Sequence, residues 1–147
     1  MGAAISGTIG GTFVGFTPSS GTTAIIGGNI AGNSVSTSVQ FCGPFSSPRN
    51  AAEADSRAGM PRAGTASKLY VYLANAVPVG QTVTIALEKN GSDSALTCII
   101  TNAAGTGAFA CDTTHTVTYS KGDNFSFSFK TNSGSNNSLG GWAFAYD

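Results

Sequence analysis

Charge is what this chain has least of. Lys, Arg, Asp and Glu make up 10% of its 147 residues, where an ordinary soluble domain carries about 25%. The seven basic and seven acidic residues cancel, leaving no basic stripe to neutralise phosphates and no acidic tail to collect cations, so nucleic acid is not an expected partner. Cysteine is sparse and odd in number. Cys42, Cys98 and Cys111 form no C-x-x-C pair, and with His115 the one histidine no zinc ligand set can be assembled. No metal and no cofactor is therefore expected. No apolar run reaches the roughly 18 to 20 residues that cross a bilayer, and residues 1–32 hold no Lys or Arg, so the positive start of a secretory signal is missing. Neither a membrane nor export by a cleaved signal is expected. Helical periodicity is absent too, since no window of a dozen residues repeats apolar positions with a 3.6 period.

What is present is apolar and β-forming. Hydrophobic residues are 41% of the chain, which separates it from disordered sequences, and its length suits one domain with a core that needs no disulfide or metal. Scarce charge fits a surface covered by neighbours, because charge is depleted at interface cores. A neutral, hydroxyl-rich free surface has the same composition.

Strand signals recur along the chain. In residues 68–73, Leu69, Val71 and Leu73 alternate with Tyr70 and Tyr72, giving two bulky faces and predicting a strand covered on both sides. In residues 81–89, Val83, Ile85 and Leu87 oppose Thr82, Thr84 and Glu88, and Asn90-Gly91 then supplies the positive-φ pair of a type I′ hairpin. The chain returns through 95–101, turns over 102–107 and runs on through 108–111. If Thr101 and Ala108 face each other in that hairpin, so do Cys98 and Cys111, which makes a disulfide possible; two packed thiols are the alternative.

Phe125, Phe127 and Phe129 share one face, with Ser126 and Ser128 on the other, and Trp142, Phe144 and Tyr146 share a face of the last strand. These six aromatics are expected in the core or at an interface. Residues 131–141 form a polar Gly/Ser/Asn-rich loop, an exposed binding tip or a solvated turn. Earlier in the chain, 13–17, 24–26 and 35–41 read as short strands.

The chain therefore divides into residues 1–42, an arm with the first strands; 43–66, a proline-punctuated crossing loop with one helical turn near 50–57; and 67–147, the main body. About eight short antiparallel strands with one long connection predict an all-β, two-sheet jelly-roll sandwich with an extended N-terminal arm.

Chemistry is thin. His115 is the only imidazole, and no nucleophile signature accompanies it. Glu53 with Asp55, or Asp112 with Asp123, are the carboxylate pairs that glycoside hydrolysis would need. Arg49, Glu53, Asp55, Arg57 and Arg62 crowd the crossing loop, where ion pairing within the loop or between subunits is the simpler reading. Asp112 and Asp123 sit at turns, where Asp caps backbone N–H groups, and no calcium-loop pattern accompanies them. Trp142 is a sugar platform only if exposed. No catalytic residue is assigned.

Residues 60–73 (MPRAGTASKLYVYL), 81–91 (QTVTIALEKNG), 95–98 (ALTC), 111–115 (CDTTH), 121–123 (KGD) and 142–144 (WAF) carry a resemblance. Their order resembles the jelly-roll modules of tailed bacteriophages, found in capsid decoration proteins, head fibres and tail receptor-binding tips, over residues 57–147. The resemblance implies a homotrimer around a threefold axis on the virion exterior. With no fibrous stalk, the chain looks like a capsid decoration, or cement, protein whose partner is the major capsid protein and whose residues 1–40 make the attachment contacts. The alternative is a receptor-binding or glycan-binding module of a tail or head fibre.

Overall fold

Period-two alternation builds this protein, and the computed structural model describes it over residues 23–29, 35–44, 52–135 and 139–147. The strand expected at 13–17, the arm before residue 23, and Arg49 lie outside the described residues. The elements are β1 (Ala24–Asn29), β2 (Gln40–Cys42), a 3₁₀ turn (Glu53–Ser56), β3 (Ala58–Gly59), β4 (Gly64–Leu73), β5 (Thr82–Lys89), β6 (Ser92–Thr101), a second 3₁₀ turn (Asn102–Ala104), β7 (Gly107–Tyr119), β8 (Asn124–Thr131) and β9 (Leu139–Tyr146).

Two antiparallel sheets form, one in the order β1-β9-β4-β7 and the other β2-β8-β5-β6, with β3 adding to β8. Leaving the two-residue β3 aside, the pairs are nested: β1 with β9, β2 with β8, β4 with β7, β5 with β6. A long hairpin wound over two sheets gives that nesting, and the fold is a jelly-roll sandwich.

The Asn90-Gly91 turn is as expected: φ is 53° at Asn90 and 85° at Gly91, and Lys89 faces Ser92 across it. The Asn90 side chain does more than tolerate that φ. It donates to Asp123 Oδ1 at 2.9 Å and accepts from the Asn124 amide at 2.8 Å, tying the β5–β6 turn to the β7–β8 turn.

Three expectations need correction. β6 and β7 are not a paired hairpin: β6 pairs with β5 and β7 with β4, so the chain crosses between sheets at residues 102–106. Residues 43–66 hold more than a crossing loop: the helical turn expected near 50–57 is the 3₁₀ turn at Glu53–Ser56, and β3 and the start of β4 fall there as well. Nor is the polar loop 131–141 that long. β8 runs to Thr131, β9 begins at Leu139, and Leu139 is buried.

The core lies between the sheets. All six expected aromatics are inside it, none more than 4% exposed, so they serve the core and not an interface. β8 and β9 bring them face to face: the Phe127 and Trp142 rings lie 4.2 Å apart, and Phe125 meets Phe144 edge-on at 5.7 Å. Buried in this way, Trp142 is no sugar platform. On β4 the inward positions step from Ala66 to Leu69, an odd interval. A bulge at Lys68, whose φ is 55°, absorbs the extra residue, and the ladders to both β7 and β9 shift register there.

Candidate functional site: the outer face of the β1-β9-β4-β7 sheet

With the large residues of β9 turned inward, its outward positions are Gly141, Ala143 and Ala145. They make a low strip in the sheet. β1 raises Ile25 on one side, opposite Ala145. β4 raises Tyr70 and Tyr72 on the other, with Tyr70 opposite Ala143. Ile25 is 51% exposed, Tyr70 46% and Tyr72 50%. Two hollows lie along the strip, one of about 480 Å³ bounded by Ile25, Lys68, Tyr70 and Ala145, the other of about 260 Å³ over Gly28, Gly141 and Trp142 beside Tyr72. Lys68 is the one charged residue lining either hollow.

Tyr70 and Tyr72 are what the sequence reading placed differently. A strand bulky on both faces was expected to be covered on both. Among the described residues only the Leu69, Val71 and Leu73 face is covered. The signal was present in YVYL, but it cannot say whether the second cover comes from the same chain.

The expected ion-pair residues scatter. Glu53 and Arg57 form an ion pair across the 3₁₀ turn, with Arg57 Nε donating to Glu53 Oε2. That guanidinium holds the Glu53 carboxyl below its ordinary range. Asp55 is exposed, with no ion pair among the described residues. Arg62 lies over the Tyr146 ring, 5.1 Å from its centroid, and its carbonyl accepts from Tyr146 Oη at 2.7 Å.

Sequence reasoning missed Glu88. Its residue is 4% exposed on the outer side of the other sheet, and Ser126 Oγ lies 2.5 Å from Glu88 Oε2 and 2.9 Å from Glu53 Oε1. Burial pushes the Glu88 carboxyl above its ordinary value. Neighbouring Ser128 donates to Asp93 Oδ1 at 2.6 Å. The two serines opposite the phenylalanine face are thus buried beneath acidic side chains. Neither Glu53 nor Glu88 lines either of the two hollows on the opposite sheet.

Asp112 and Asp123 stay apart, as caps. Burial opposes ionisation of Asp112, but the amides of His115, Thr114 and Thr97 and the His115 ring overcome it, holding the carboxyl at about 2. Asn90, the Ser120 amide and Lys89 hold Asp123 at about 2. His115 Nδ1 is 2.9 Å from Asp112 Oδ2, and the hydroxyl beside the ring, Thr114 Oγ1 at 3.3 Å, is itself bonded to Asp112. Nδ1 is the nitrogen through which a carboxylate orients an imidazole; a nucleophile would have to meet Nε2, and among the described residues no Ser, Thr or Cys is hydrogen-bonded there.

Protein-family models, curated proteins and solved structures give no match to this chain. The reading of the site therefore rests on its own geometry. Cys98 and Cys111 are joined in a disulfide, with Cα atoms 5.6 Å apart. Cys42 is buried and free, its thiol pushed up to about 12 by burial, far from the thiolate form that reactivity needs. No helix among the described residues is long and apolar enough to cross a membrane, and no group of three or more metal-binding side chains occurs among them.

Proposed function

We propose that this chain is a structural assembly subunit, a capsid decoration protein of the tailed-phage kind that its sequence resembles. In this reading it is a homotrimer on the virion exterior, bound to the major capsid protein and stabilising the shell. The observation that carries the assembly part is the outer face of the β1-β9-β4-β7 sheet, where Ile25, Tyr70 and Tyr72 stand half-exposed around a strip of Gly and Ala. Free-standing proteins rarely leave such patches open, and tyrosine is favoured where proteins meet. A ligand that binds only the assembled shell shifts the equilibrium toward that shell, which is how a cement protein stabilises.

A second reading has an observation of its own. Tyr70 and Tyr72 beside open hollows also suit stacking against sugar rings, as a glycan-binding or receptor-binding module of a tail or head fibre would need.

Mixing the purified protein with undecorated capsids separates the two. Regular added protrusions in electron micrographs are expected for the decoration protein. Failure to bind capsids, with adhesion to host cells lost in a Tyr70→Ala/Tyr72→Ala variant, would replace it by the second reading.

A further inference from the structure

Ser126 occupies an outward position on β8, yet it is fully buried, because the Glu53–Ser56 turn packs over the β8–β5 ladder. Its hydroxyl touches two carboxyl groups at once, Glu88 at 2.5 Å and Glu53 at 2.9 Å. A hydroxyl has one proton to donate, and an ionised carboxylate can only accept. With both glutamates charged, one of these two oxygen pairs would meet with no proton between them. A second proton has to sit on one of the carboxyls.

Glu53 is not its seat, since Arg57 is paired with it. Glu88 has no ion-pair partner among the described residues. The charges that act on it are Glu53 and Arg57 from the turn and Asp93 from β6, two acids against one base. Of the other titratable neighbours, Tyr119 on β7 donates its phenol proton to the Glu88 carbonyl, and Cys42 on β2 is a neutral thiol. Adjacent Lys89 is committed to Asp123 and the Thr118 carbonyl.

We propose that Glu88 is a neutral acid donating to Ser126, which donates to the Glu53 carboxylate held by Arg57. This directed proton chain latches the Glu53–Ser56 turn onto the sheet until Glu88 ionises. The folded chain then holds the Glu88 proton more tightly than the unfolded chain does. The latch's contribution is complete below the unfolded glutamate value of about 4.3 and is lost as pH rises through the raised native value.

Glu53 and Glu88 are the only glutamates in the chain, so selective carbon-13 labelling of glutamate gives two carboxyl resonances. One is expected to titrate below the ordinary glutamate range and the other above it, with the upper one missing in a Glu88→Gln variant. The wild-type spectrum alone decides if that variant does not fold: two resonances titrating at or below the ordinary value would overturn the latch. Where the variant folds, its stability relative to wild type should grow as pH rises, because Gln keeps the donor that Glu88 loses. A difference independent of pH would also overturn it.

Discussion

A methyl group added at Gly28 would lie 2.6 Å from the Trp142 ring, which packs directly across the ladder from it. Overpacking of this kind typically costs about 1 to 3 kcal/mol, and Gly28→Ala is expected to lose that much in urea unfolding. The capping acids set a second residue-scale outcome. Asp112 and Asp123, both held at about 2 when folded, contribute stability that is present above the unfolded aspartate value of about 3.9 and lost as pH falls through about 2. The urea midpoint should therefore drop between about pH 4 and about pH 2, and Asp112→Asn should flatten part of that drop. Glu88 works in the opposite sense, toward high pH. The capping role of Asp112 and Asp123 was legible in the sequence; that of Glu88 was not, because it reads there as one polar position of an alternating strand. Its neighbours come from a turn 35 residues earlier and a strand 38 residues later, and only the fold brings them together.

At the scale of elements, legibility follows period and turn chemistry. β5, β8 and β9 alternate strictly, and Asn90-Gly91 fixes the one turn whose type could be named, so these were visible. The passage from β6 to β7 was not. A strand that pairs with its predecessor and one that crosses to the other sheet have the same alternation, and the choice depends on which edge is open. The cysteines were matched through a hairpin that does not exist, yet the structure still joins them. Cys98 and Cys111 lie on the edge strands of opposite sheets and lace that side of the sandwich shut. For a separation of 13 residues, chain entropy alone gives about 3 kcal/mol. A Cys98→Ser/Cys111→Ser variant is expected to fold with its stability lowered by about 2 to 4 kcal/mol; an unchanged unfolding midpoint would show that the bridge adds nothing.

For the whole molecule, the division of β9 into large inward and small outward residues matters most. Trp142, Phe144 and Tyr146 fill the core, while Gly141, Ala143 and Ala145 leave a shallow trough outside, flanked by Ile25 and the two tyrosines. Low charge was legible from the start. Where the resulting apolar surface gathers was not, because it depends on which sheet face the described residues leave uncovered. The central claim is that another protein surface covers this face. Light scattering on the purified chain, beside an Ile25→Ser/Tyr72→Ser variant shown by circular dichroism to be folded, tests it most directly. The account predicts a wild-type mass three times the 14.7 kDa of one chain, with the variant shifted toward monomer. A monomeric wild type, or a variant that stays trimeric with unchanged affinity, would contradict it.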